Sequence, residues 1–212
     1  MNNHLTLIDG SGYIFRAYYA IRELSTRQGF PTNAVYGFCQ MLLKVIKDKN
    51  PDYLAIAFDA KGKTFRHKIY DDYKAHRPAM PDALSVQIPY IRKMVEAFGI
   101  PALIEEGYEA DDLIGTLASH GESSGFSVVI VSGDKDMFQL ISPATTVYDS
   151  MKDRLSTEKE FTERFVSAVA GLKVGDPLDE ECDVGPMIDE GAAVRAEAWI
   201  TEAVESGAKV LI

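Results

Sequence analysis

The sequence has little of what would place it outside a reducing compartment or in a membrane. Only two cysteines, Cys39 and Cys182, occur among 212 residues. They are too few for a disulfide framework, so a cytoplasmic setting is expected. No apolar run approaches the ~20 residues of a membrane-spanning helix, and no membrane partner is expected. The opening MNNHLTLIDG lacks the basic stretch and long apolar core of a secretory leader. The four histidines, His4, His67, His76 and His120, fall in no ligand pattern, which argues against zinc. No G-x-x-x-x-G-K-[ST] occurs, so a P-loop is excluded.

A basic balance is missing too. The formal net charge is −10, and taken as an average it argues against a nucleic-acid partner. The charge is unevenly spread, however. Residues 1–160 hold 18 Lys/Arg and 21 Asp/Glu, whereas residues 161–212 hold 4 and 11. Within the first part, Lys61, Lys63, Arg66, Lys68, Lys74 and Arg77 face only Asp71 and Asp72, a local excess of positive charge. Such asymmetry marks regions with different roles.

Short apolar, β-rich runs alternate with helical patterns over the first 150 residues. Leu5–Ile8, Tyr53–Phe58, Ser127–Val131 and Thr145–Tyr148 read as strands covered on both faces, and Pro101–Ile104 as a shorter one. Asn33–Lys49, Pro81–Phe98 and Glu109–His120 read as helices. The alternation predicts an α/β fold with a mainly parallel sheet flanked by helices. Lys61–Pro81 interrupts it with a long basic connection carrying Phe65, Tyr70 and Tyr73, and loops of that length are usually functional.

Acids stand at the predicted strand ends. Asp9 closes the first strand, Asp59 the second, Glu109, Asp111 and Asp112 open a helix, and Asp134 and Asp136 follow the fourth strand. In open α/β sheets those ends form one ligand-binding rim. An acid in a helix's first turn gains ~0.3–1 kcal/mol from the macrodipole, which accounts for any one of them. Four segments placing acids on one edge is another matter, because unit charges ~4 Å apart repel by ~4 kcal/mol at an effective dielectric of 20. A cation among them is expected, and an all-oxygen donor set selects Mg²⁺ or Mn²⁺. Two such ions suit phosphoryl chemistry. The basic loop complements this, its cations for phosphates and Tyr73 for stacking on an unpaired base. A haloacid-dehalogenase phosphatase also starts with strand–Asp, but it needs a second acid where Ser11 stands.

LIDGSGYIFRAYYAI, AFDAKGKTFRHKIYDDYKAHRPAMPDAL, GYEADDLIGTLA and VSGDKDMFQLI, in this order, resemble the flap-endonuclease family. This PIN-like family includes the N-terminal 5′→3′ exonuclease domain of bacterial DNA polymerase I. The resemblance spans about residues 5–165 and predicts a nuclease domain over 1–165. It implies that Asp9, Asp59, Glu109, Asp111, Asp112, Asp134 and Asp136 bind metal. It further implies that Lys61–Pro81 forms part of a helical arch. Lys74 and Arg77 are then catalytic cations at the scissile phosphate, and Arg16, Arg66 and Tyr73 contact DNA bearing a 5′ end or flap.

The family's later G-D-x-x-D-N motif and Gly-rich helix–hairpin element are not recognisable. Residues 166–212 instead resemble a fragment of the aldehyde dehydrogenases through KVGDPLDEECDVGPMID, without the catalytic Cys and Glu or the nucleotide-binding glycines. A short α/β tail ending in a strand over Lys209–Ile212 is expected there, and no nicotinamide cofactor. The resulting expectation is a metal-dependent 5′→3′ exonuclease and flap endonuclease weakened by loss of the hairpin region. A DNA- and metal-binding module without turnover is the alternative, and an oxidoreductase fragment follows from the tail alone.

Overall fold

A computed structural model describes residues 3–76 and 78–211. The chain divides into two compact units, Met1–Glu158 and Lys159–Ile212. Among the described residues, the first unit builds one six-stranded sheet from β1 (His4–Asp9), β2 (Tyr53–Ala57), β3 (Ala102–Leu103), β4 (Ser127–Val131), β5 (Thr145–Asp149) and β6 (Arg154–Ser156). The spatial order is β3-β2-β1-β4-β5-β6, with the first five parallel and β6 antiparallel to β5. The connecting helices are α1 (Gly10–Ala20), α2 (Asn33–Lys49), α3 (Arg66–Ile69), α4 (Asp82–Ser85), α5 (Ile88–Ala97) and α6 (Ala110–Ser123), with a 3-10 segment at Lys135–Leu140.

Alternate strand residues serve two cores. Ile8, Ile56, Val131 and Tyr148 pack with Phe38, Leu42 and Val45 of α2, Tyr13 and Ile14 of α1, and Ile91 and Val95 of α5. Their neighbours Leu7, Ala57, Ile130 and Val147 pack on the other face with Ile114 and Ala118 of α6. Burial on both faces explains why these strands read as continuous apolar runs. α2 carries Lys47 and Lys49 in its last turn and ends at Asn50 in the left-handed region (φ 41°), which suits the helix dipole and the αL cap.

The expected single helix over Pro81–Phe98 is broken at Val86–Gln87 into α4 and α5. Gln87 is wholly buried. Its Oε1 accepts from the backbone N–H of Ala34 (2.8 Å) and Val35 (3.2 Å), orphan donors at the start of α2. Its Nε2 donates to Ala83 O (2.7 Å) and Asn33 Oδ1 (3.0 Å).

The second unit holds α7 (Glu158–Ala170), which begins at the boundary, and α8 (Glu190–Glu205), capped by Asp189 accepting from Ala192 N (2.6 Å). Between them an acidic loop is closed by a single bridge, Val174–Val184, and a Lys173–Glu181 ion pair. The expected terminal strand over Lys209–Ile212 is not formed: residues 208–211 follow a turn without strand pairing, and Ile212 lies outside the described residues. Among its described residues this unit offers no strand to pair with, and an isolated strand has no stability of its own.

Candidate functional site

The parallel register brings the acids to one edge. Ile8 pairs with Ile56 and Val131, so the ends of β1, β2 and β4 are level. Asp9 is the last residue of β1 and the N-cap of α1, its Oδ1 accepting from Gly12 N at 2.7 Å. The backbone N–H of Asp59 donates to Ser11 Oγ (2.8 Å), and its carboxylate accepts from Ala110 N (2.8 Å) at the start of α6. Asp134 caps the 3-10 segment, accepting from Asp136 N at 3.0 Å.

Ser132 links two of these acids. Its hydroxyl donates to Asp9 Oδ2 (2.9 Å) and accepts from Asp134 N (3.0 Å). Two glycines are needed for close approach. A Cβ at Gly12 would stand 2.2 Å from Asp9 Oδ2, and one at Gly133 would overlap the Arg16 guanidinium. Asp9, Arg16, Asp134 and Asp136 line one open cavity of about 500 Å³.

The acids feel one another. Burial pushes the Asp9 carboxyl up, and the charges of Asp59 and Asp134 add to it against the bonds from Gly12 and Ser132. Asp111 is pushed up to about 6, first by burial and then by the charges of Asp9, Asp134 and Asp59, with Lys74 opposing. Asp9 and Asp111 therefore lie in one electrostatic environment, where the charges of Asp59 and Asp134 disfavour ionisation of both.

Glu109 and Asp112 face the basic loop. Glu109 Oε1 accepts from Lys74 Nζ (2.7 Å) and Oε2 from Tyr73 OH (3.0 Å). Arg66 grips Asp112 with two parallel bonds of 2.7 Å, and its NH1 lies 3.7 Å from Glu109. This holds the Asp112 carboxyl below the usual carboxylate range. Asp112 also accepts from Glu109 N (2.9 Å), closing the first turn of α6. Lys74 itself sits in the left-handed region (φ 58°).

The acids thus reach one rim but not one tight cluster. Among the described residues, no three His, Cys, Asp or Glu side chains gather closely enough to hold an ion as they stand. Four of the seven acids take separate partners: Gly12 and Ser132 for Asp9, Ala110 N for Asp59, Lys74 and Tyr73 for Glu109, Arg66 for Asp112. Asp134 and Asp136 are exposed. Arg16 is bonded to Asp149 (3.0 Å) beside the rim. Tyr73 is half-buried against His67, and α3 with the turns that follow it is what the expected arch comprises here. Arg77 lies outside the described residues. Asp176 and Asp179, whose spacing imitates the family's later motif, cap loop turns through Leu178 N and Glu181 N in the second unit. Ser132, Ser11 and Gly12 join the site in the structure without having been expected there. The signal was their place two or three residues from Asp9 and Asp134.

A family model described as the 5′-3′ exonuclease, N-terminal resolvase-like domain, matches residues 4–166. The chain belongs to this family. A second model, the aldehyde dehydrogenase family, matches residues 154–212. A 5′-3′ exonuclease of Aquifex aeolicus (strain VF5) is 47% identical over 174 residues, 82% of this chain and 60% of that protein. DNA polymerase I of Caldicellulosiruptor bescii is 41% identical over 197 residues, 90% of this chain but 23% of the polymerase. The chain therefore spans three fifths or less of these exonuclease-family relatives. Among solved structures, the T5 D15 protein co-crystallised with metal ions superposes with a TM-score of 0.63 at 19% identity, over 94% of this chain and 75% of that one. A T5 flap endonuclease complex with DNA and metal ions superposes at 0.57 and 20% identity, over 76% of this chain and 60% of that one. These neighbours share the PIN-like α/β fold of the exonuclease family. No described helix is long and apolar enough to cross a membrane.

Proposed function

We propose that this chain is a divalent-metal-dependent 5′ nuclease domain that hydrolyses phosphodiester bonds of DNA at or near a 5′ end or flap. The observation that carries this reading is the sheet rim where the charges of Asp59 and Asp134 push the Asp9 and Asp111 carboxyls up. A divalent cation relieves that repulsion. The donor set fits it, being all hard oxygen with Mg²⁺ or Mn²⁺ as the matching ions. Asp9, Asp59, Asp111 and Asp134 would hold the metal, with Asp136, Glu109 and Asp112 completing the acid rim. When bound, the metal supplies an activated water and neutralises charge on the phosphodiester.

The chain's own residues do the rest. Ser132 and Gly12 fix Asp9 by two bonds, so that it presents one orientation. Glu109 steers Lys74 and Tyr73 to the rim, Lys74 as a cation for the scissile phosphate and Tyr73 as a stacking surface. Arg66 ties the loop to α6, Arg16 supplies a further cation beside the rim, and Arg77, outside the described residues, is read with Lys74 as a catalytic cation. The domain boundaries belong to the same proposal: residues 1–165 form the nuclease domain and 166–212 an aldehyde-dehydrogenase-like fragment.

A second reading, binding of metal and DNA without turnover, is favoured by the end of the family match at residue 166. Incubation with a 5′-flap duplex in Mg²⁺ and in EDTA decides between them. Metal-dependent release of a product with a 5′-phosphate end supports the nuclease. Saturable metal and DNA binding without product supports the module, and neither result leaves the rim without a role.

A further inference from the structure

Arg16 stands on α1 at the cavity lined by Asp9, Asp134 and Asp136, three carboxylates that a guanidinium would ordinarily seek. Among the described residues it bonds to none of them. Its NH1 donates instead to Asp149 Oδ1 (3.0 Å), at the end of β5. Asp149 is itself held in place. The same oxygen accepts from Met151 N (3.1 Å) and Lys152 N (3.4 Å), and the side chain is only 14% exposed. Three residues earlier, on the same face of α1, Tyr13 OH shares a hydrogen bond with the buried Ser150 hydroxyl. α1 is thus docked at two successive points on the β5–β6 turn. The guanidinium also lies across Gly133, where a Cβ would overlap it. Arg16 is clamped between a carboxylate outside the acid rim and a residue without a side chain.

An unclamped Arg16 would work against the site. Its charge would pair with Asp134 or Asp136 and compete with a metal ion for their oxygens. We propose that Asp149 is a positioning residue, which holds the Arg16 guanidinium off the metal-binding carboxylates and aligns it for a phosphate oxygen of the bound strand. This inference rests on the nuclease reading above. A guanidinium carries five donors in a rigid planar fork, so one bond to Asp149 sets the direction of the others and leaves them free for phosphate. Asp149 acts through Arg16 and need not touch the substrate.

The test compares the full chain with Asp149→Asn, Arg16→Gln and the double variant. Asparagine keeps an acceptor for the Met151 N–H but loses the charge that retains the guanidinium. Calorimetry should show Mn²⁺ affinity about 10-fold lower in Asp149→Asn. The double variant should recover it, because no cation is left to stray. Fluorescence anisotropy of a 5′-flap duplex in EDTA should give a Kd raised about 10-fold by Arg16→Gln. Asp149→Asn should raise it nearly as much, and the two together no further. A residue that merely shapes the β5–β6 turn leaves Mn²⁺ affinity unchanged and multiplies with Arg16→Gln, and either result overturns the proposal. If Asp149→Asn fails to fold, Gly133→Ala displaces the guanidinium from its other side. The same loss of Mn²⁺ affinity is then expected, and its persistence in the Arg16→Gln background overturns the clamp. Mg²⁺-dependent flap cleavage by wild type, run in parallel, tests the nuclease reading by itself. Cleavage with a failed cycle overturns the positioning role alone, whereas absence of both cleavage and Mn²⁺ binding overturns both.

Discussion

Replacing Arg66 by Met removes the cation that joins the basic loop to α6. The two bonds to Asp112 are 2.7 Å each, and the partners' side chains are 30% and 21% exposed. Exposed pairs are worth ~0–1 kcal/mol, and breaking a fully buried one costs ~3–5 kcal/mol. A bidentate, partly shielded pair falls between, at about 1.5–2.5 kcal/mol. Each kcal/mol moves Tm by ~2–4 °C in a chain of this size, so a fall of about 3–10 °C is expected. Thermal unfolding in metal-free buffer measures it. A double-mutant cycle with Asp112→Asn should return most of that cost as coupling. The salt dependence of DNA binding separates anchoring from phosphate contact. If Arg66 anchors the loop, the slope of log K against log salt stays unchanged, whereas losing one phosphate contact lowers it by ~1. An unchanged Tm together with a reduced slope, or strictly additive losses in the cycle, refutes the anchoring argument.

Three further outcomes follow from neighbouring residues. Ser132→Ala, which frees Asp9 Oδ2, should weaken Mn²⁺ affinity about 10–100-fold in a calorimetric titration while the fold persists; unchanged affinity removes Ser132 from the site. Gln87→Ala, which strands the N–H groups of Ala34 and Val35, should cost about 2–4 kcal/mol in urea unfolding, and a cost under ~1 kcal/mol contradicts the capping role. Burial pushes the Asp149 carboxyl up, but the bond and charge of Arg16 together with the N–H groups of Lys152 and Met151 outweigh it and hold the group below its usual range. Its stabilisation is therefore complete above pH ~4 and is lost as pH falls through the lower folded value. The advantage of wild type over Arg16→Gln should shrink in acid, and an advantage independent of pH argues that the pair is not ionic.

What could be read from the sequence was whatever repeats within one element. β4 over Ser127–Val131 and α2 over Asn33–Lys49 carry their own apolar pattern, and both form with the expected bounds. The break at Val86–Gln87 was hidden because it serves a different helix, through bonds 52 to 54 residues away in sequence. β6 was missed because three residues hold no period, and β5 alone defines it. The terminal strand expected over Lys209–Ile212 has strand composition, but among the described residues its own unit holds no strand to pair with. At the site, strand ends located Asp9, Asp59 and Asp134 on one rim. Side-chain partners were not legible: nothing local pairs Arg66 with Asp112 or Lys74 with Glu109, because the loop's fold sets those choices. The whole-chain charge of −10 misled for a related reason, as acids gathered at a cation site say nothing against phosphate binding.

The central claim is that the rim acids work as one cation-binding, phosphodiester-cleaving site. Asp111 tests it most directly, because burial and three like charges act on it together. The measurement is the single-turnover rate on a 5′-flap duplex in Mg²⁺, wild type against Asp111→Asn. The account predicts a metal-dependent wild-type rate and a loss of about 100-fold or more in the variant with its fold intact. Equal rates in the two proteins, or wild-type cleavage that survives EDTA, would contradict it.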